Sequence, residues 1–134
     1  MITGIDLAVR DSSEKSESQK FSTIEANNTQ LSEGLGLLTN SIIDQHFIKR
    51  KRMNRLLAIA IENPSNPCIG IDESTAIWVK NRKAEVIGES QVIEIRFQGK
   101  PKSNSNRKLS GKGIKITIFT EGDVFPIIEP KRPL

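Results

Sequence analysis

Apolar residues recur at spacings of three and four between Arg50 and Asn63. Met53, Leu56, Leu57, Ala60 and Ile61 fall on one stripe, which predicts an amphipathic helix. Arg50, Lys51, Arg55 and Glu62 fall elsewhere on the wheel or near its ends. Asn63-Pro64 closes the helix, because proline restricts the residue before it and has no amide proton to donate. From Pro67 the period changes to two. CIGID (68–72) is a short apolar run that predicts a buried strand. TAIWVK (75–80) alternates, turns at Asn81-Arg82-Lys83 and returns as AEVIGE (84–89). QVIEIRF (91–97) places Val92, Glu94 and Arg96 on one face and Ile93, Ile95 and Phe97 on the other. IKITIFT (114–120) puts Ile114, Ile116 and Ile118 on one face, and Glu121-Gly122-Asp123 reads as a turn before VFPII.

Two stretches lack such periodicity. Residues 10–33 are dominated by Ser, Glu, Asn, Gln and Thr, and read as a long polar loop or insertion. Residues 99–113, GKPKSNSNRKLSGKG, read as a mobile loop, and the chain ends in the Pro-rich EPKRPL. Between the first loop and the helix, GLGLL (34–38) would suit a buried strand or a turn. The chain thus divides at residue 34, with the elements concentrated in 34–134. One helix is followed by mainly antiparallel strands.

The 134 residues are about one small domain, enough for a real core. No apolar run approaches the roughly 18 residues of a membrane span. Cys68 is the single cysteine, which excludes an intrachain disulfide and argues against a Cys-based metal site. The net charge of +4 is unevenly spread. Residues 1–48 hold three basic and seven acidic groups, a net −4, and residues 49–134 hold seventeen and nine, a net +8. A basic half can attract nucleic acid or another polyanion, or be ordinary solvated lysine.

The densest polar constellation is Asp44-Gln45-His46-Phe47, followed by Arg50, Arg52 and Arg55. A lone histidine such as His46 is more often a structural or surface residue than a catalyst, but it is chemically suited to general-base work, which needs a carboxylate to orient it and a nucleophile to deprotonate. Asp72 and Glu73, at the end of an apolar strand, are candidate carboxylates, although spacing alone favours reading them as a polar turn between two strands. The basic run at Lys49–Arg52 lies where the helix dipole disfavours cations by about 0.3–1 kcal/mol each. Such runs are usually solvated or act as localisation-like patches, but the unfavourable placement adds weight to a role such as clamping a carboxylate or phosphate. Nucleic-acid binding would want exposed aromatics beside the basic residues, and most aromatics here alternate inward, which argues against it.

At these residues the sequence resembles a known family. GLGLL, then IIDQHFIKRKRMNRLLAIAIENP, then IGIDESTAIWV, resemble the cyanophycinase family of serine peptidases. The likeness covers residues 34–97 well and 113–125, with IKITIFTEGDVF, loosely. It implies an α/β fold, here the C-terminal half of a glutamine-amidotransferase-like α/β sandwich with one main helix and largely antiparallel strands. It also implies hydrolysis of cyanophycin, a polyaspartate carrying arginine on its side chains, to β-aspartyl-arginine dipeptides. By this resemblance His46 is the catalytic base and Glu73 the acid that orients it. Asp44, Gln45, Arg50, Arg52 and Arg55 match the residues lining the substrate groove. No cofactor or metal is implied. The expected partners are cyanophycin or an aspartyl peptide, with room for a homodimer and no membrane.

The family's nucleophile sits in a Gly-x-Ser-Ala-Gly type elbow upstream of the GLGLL segment. None of the thirteen serines has that context, and the one Ser-Gly pair, Ser110-Gly111, lies in the late polar loop. The expectation is therefore a fragment whose nucleophile comes from an N-terminal half, as a truncated record or a split gene. An inactive relic or a basic polyanion-binding module is the alternative. A cytoplasmic chain is favoured, with secretion left open because a leader would belong to the absent half.

Overall fold

The computed structural model describes residues 7–10 (backbone only), 23–38, 40–49 and 52–127. The candidate Arg50 and the C-terminal EPKRPL lie outside the described residues, as does half of the 10–33 stretch, residues 11–22. A six-stranded sheet forms the centre, with β1 (Leu7–Arg10), β2 (Gln30–Glu33), β3 (Ile42–Gln45), β4 (Cys68–Ile71), β7 (Val92–Phe97) and β10 (Ile114–Phe119). Its order is β10-β7-β4-β3-β1-β2. The pairs β1–β3 and β3–β4 are parallel; β1–β2, β4–β7 and β7–β10 are antiparallel. A second sheet, ordered β11-β6-β5, joins β5 (Thr75–Lys80), β6 (Lys83–Gly88) and β11 (Val124–Pro126). The fold is α/β, with one described helix and mostly antiparallel strands, as the sequence pattern implies.

The period-two alternation becomes two cores, one on each face of the central sheet. Ile42, Cys68, Ile93 and Ile95 point to helix α1 (Met53–Glu62) and pack with Phe47, Leu56, Ile59 and Ala60. Ile43, Ile69 and Val92 point the other way, onto Ala84, Val86 and Phe125 of the second sheet. The result is three layers: helix, six-stranded sheet, three-stranded sheet. Cys68, fully enclosed, has its thiol pushed up to about 12 by burial, which makes it inert as a nucleophile at neutral pH.

The hairpin β5–β6 forms where alternation placed it. Asn81 and Arg82 both take left-handed backbone, φ 51° and 60°, the geometry of a two-residue type I′ turn. Other elements differ from the sequence reading. The helix begins at Met53 rather than Arg50, and its inner face is turned toward Arg55, Leu56, Ile59 and Ala60. Arg55, off the apolar stripe on a wheel, is fully buried, because a carboxylate on β3 receives it. The polar run Gln30–Glu33 is a strand, held by backbone pairing to β1 rather than by side-chain propensity. Of the two readings of GLGLL, strand or turn, the chain takes the bent one: Gly36 has φ +73°, Leu38 enters the core, and Leu35 and Leu37 are exposed.

Residues 99–113 contain a short hairpin, β8 (Lys102–Ser103) with β9 (Leu109–Ser110). It is tied to the chain before β2. Leu109 N–H donates to the Ile24 carbonyl and Ala26 N–H to the Arg107 carbonyl, and Lys108 pairs with Glu25.

Candidate active site

The parallel strands β3 and β4 deliver the site. Ligands of open α/β sheets gather at the carboxyl ends of strands, and there His46 follows β3 and Glu73 lies just beyond β4. The four residues of DQHF separate by direction. Asp44 points to the helix side, Gln45 to the opposite side, His46 turns the chain, and Phe47 plugs back into the helix-side core. His46 has φ +54°, a left-handed backbone that costs a non-glycine residue about 1–3 kcal/mol and persists only where its surroundings enforce it.

Those surroundings are specific. The Phe47 ring lies directly over Gly70, where any Cβ would fall 2.5 Å from the ring. Phe47 N–H donates to the Ile71 carbonyl at 3.4 Å. Asp72 Oδ1 accepts the Ile48 and Lys49 amides, each at 3.0 Å, and its Oδ2 accepts the Ser90 hydroxyl at 2.5 Å. Burial pushes the Asp72 carboxyl up, but the Ser90 hydroxyl and the backbone amides outweigh it and hold the pKa below its ordinary value.

His46 Nδ1 sits 3.2 Å from Glu73 Oε1, and Lys49 Nζ binds the other oxygen, Oε2, at 2.5 Å. The His46 side chain is 48% exposed and that of Glu73 29%, so the pair faces solvent. It opens on a cleft of about 370 Å³, whose wall includes Gln45, Ile71, Ser74, Thr75 and Ile77. Clefts of about 500 and 590 Å³ lie elsewhere, around Arg96, but neither holds the histidine. Chemistry rather than size marks the site. Among the described residues no group of three or more His, Cys, Asp or Glu is placed to hold a metal.

The remaining candidates lie beneath. Arg55 Nε donates to Asp44 Oδ2 at 3.0 Å and Nη2 to Oδ1 at 2.5 Å, a two-point pair buried between α1 and β3. Burial pushes the Asp44 carboxyl up while the Arg55 and Arg52 guanidiniums pull it back; burial prevails. Arg52, at the helix N-terminus, turns its guanidinium to the Gln45 carbonyl at 2.7 Å and stands 3.5 Å from Asp44. This answers the dipole conflict: the cation faces a carbonyl and a carboxylate instead of the helix amides. Of the candidate substrate residues, Gln45 lines the cleft, Asp44 and Arg55 are closed off from solvent, and Arg50 lies outside the described residues. Asp72, left open in sequence between a site carboxylate and a polar turn, proves to organise the turn that bears His46.

A histidine in contact with a carboxylate at the ends of adjacent parallel strands is an arrangement that α/β hydrolases use. The family model described as peptidase family S51 matches residues 9–87, over half of the chain. The protein belongs to that family, the cyanophycinase family of serine peptidases. The match begins well before residue 34, in a stretch where the sequence by itself shows no distinctive likeness. A cyanophycinase of Trichormus variabilis is 32% identical over 102 residues, 72% of this chain and 34% of the relative. One from Geminocystis herdmanii is 35% identical over 96 residues, 67% and 35% of the two chains. One from Synechococcus elongatus is 29% identical over 101 residues, 71% and 31%. The chain spans about a third of the length of these curated relatives.

Proposed function

We propose that this chain supplies the base and the orienting acid of a cyanophycinase-type serine peptidase, and that the nucleophile comes from a segment outside these 134 residues. The observation that carries the reading is the His46–Glu73 contact of 3.2 Å, at paired strand ends inside the stretch that matches the family. With Nδ1 turned to Glu73, the His46 Nε2 is left for a nucleophile. In the proposed reaction a serine hydroxyl attacks the aspartyl carbonyl while His46 Nε2 takes its proton. The protonated imidazole, held by Glu73, returns that proton to the leaving amine, and water then releases the acyl group by the reverse sequence. Oxyanion donors would accompany the nucleophile.

Gln45 is the proposed substrate contact on the cleft wall. Asp44, Arg52 and Arg55 are proposed as the charged frame that fixes Gln45 and His46 from below. The substrate class follows from the relatives' name, cyanophycinase, and release of β-aspartyl-arginine is the proposed outcome.

The test is hydrolysis of cyanophycin followed by mass spectrometry of released dipeptides. It compares the chain alone with the chain combined with the nucleophile-bearing portion of a relative. Release only in the combination, lost in His46→Ala, supports the reading. Undiminished release with His46→Ala refutes the assignment, and no release from either sample favours the relic or the polyanion-binding module.

A further inference from the structure

The turn from His46 to Lys49 touches residues 72 and 73 twice, by different groups. Its backbone amides at Ile48 and Lys49 both end on Asp72 Oδ1. Its side chains, His46 and Lys49, divide the two carboxylate oxygens of Glu73 between them. Asp72 is itself oriented from a third segment: Ser90 Oγ donates to Oδ2, and the Asp72 amide donates to the Gln91 carbonyl at 3.3 Å. One carboxylate thus links the turn after β3, the end of β4 and the turn between β6 and β7. A carboxylate suits this place because it only accepts, and every partner here is an N–H or O–H donor.

The contact between the His46 and Glu73 side chains does not by itself hold the turn. A side-chain contact as exposed as His46–Glu73 contributes about 0–1 kcal/mol even where both groups are charged, too little to enforce a left-handed backbone. We propose that Asp72 is the positioning residue of the site: it fixes the His46–Lys49 turn through two backbone amides, and so aligns both His46 and Lys49 on Glu73. This rests on the proposed function for its catalytic meaning, but the clamp can be measured without turnover. His46 is the only histidine, so its imidazole resonances report on this place alone.

The experiment compares the wild-type chain with Asp72→Ala, Asp72→Asn and Ser90→Ala by amide hydrogen exchange and imidazole NMR at fixed pH. In Asp72→Ala, exchange at Ile48 and Lys49 should rise by about tenfold to a hundredfold, the range for losing charge-assisted hydrogen bonds. The His46 imidazole signals should shift, while the amides of α1 and β7 stay protected. Asp72→Asn, which keeps one carbonyl acceptor, should lie between, and it or Ser90→Ala serves if Asp72→Ala does not fold. In a reconstituted enzyme, Asp72→Asn should lower kcat with KM little changed. Unchanged exchange at Ile48 and Lys49 in the folded variants overturns the proposal. So does faster exchange with unmoved His46 signals. A wild-type clamp together with an inconsequential His46→Ala refutes the peptidase reading and leaves the clamp standing.

Discussion

Two carboxylates of the same region respond to their surroundings in opposite senses, and each carries a test. Asp44 is buried against Arg55, so removing one partner strands the other charge. Arg55→Met is expected to lose about 3–5 kcal/mol in denaturant unfolding, and Asp44→Leu with Arg55→Met to recover much of it, since replacing a buried pair with apolar groups is often near neutral. A double variant as damaged as the sum of the singles would show that the pair is not coupled. Asp72, half open to solvent, is held below its ordinary pKa. Its contribution is present above the unfolded carboxyl pKa of about 4 and is lost as pH falls through the lower folded value. The Tm gap between wild type and Asp72→Asn should therefore be widest near neutral pH and close in acid. A gap that stays constant would mean that the Asp72 charge does not matter. Asp44 runs the other way, because a raised pKa favours the folded state at low pH and that contribution fades as pH rises. Neither role was legible in the sequence. Asp44 and Arg55 match groove residues by resemblance, with nothing in their spacing to pair them, and Asp72 reads in the sequence as a site carboxylate or a polar turn, not as a clamp on backbone amides.

Elements were legible where one force set them and illegible where two competed. Period-two alternation identified β5, β6, β7 and β10 to within a residue or two, because each packs side chains on a sheet face. For β7 the alternation marked the faces correctly but not that both are covered: Glu94, on the more polar face, is buried and receives Arg96 through two hydrogen bonds of 2.9 Å. The helix was found but its orientation was not, because counting arginine as polar hid that Arg55 faces inward. β2 was missed, since backbone pairing leaves no side-chain signature in Gln30–Glu33. A glycine links element to site. Gly70 lets the Phe47 ring lie on β4, and Phe47 is the plug that follows His46. Gly70→Ala should destabilise by about 1–3 kcal/mol as ring or strand gives way. Because the two positions touch, Gly70→Ala with Phe47→Leu should lose less than the two single losses together. Simple additivity in chemical denaturation would contradict the close contact.

At the scale of the whole molecule, the question is how far each cover extends over the central sheet. Helix α1 covers β3, β4 and β7, but β10 lies at the sheet edge, beyond most of it. Ile114 reaches the helix-side core, whereas Ile116 and Ile118 on the same face are 46% and 57% exposed. The alternation in IKITIFT marks the apolar face of this strand, yet only the packing of the layers shows that the face is half bare. Ile116 is paired with Ile95 of β7, which is completely buried. Two isoleucines side by side on one sheet face thus differ only in what lies above them. Threonine keeps the β-branch that a strand favours, so it isolates the apolar contact. Ile116→Thr should change unfolding free energy by no more than about 0.5 kcal/mol, as for most surface substitutions. It should also reduce aggregation on refolding, because an exposed apolar edge strand invites pairing between chains. Ile95→Thr should lose on the order of 2 kcal/mol or more, through lost burial and a hydroxyl placed in the core. Equal losses at the two positions would mean that β10 is covered as fully as β7, and the three-layer arrangement would then need a further element over the sheet edge.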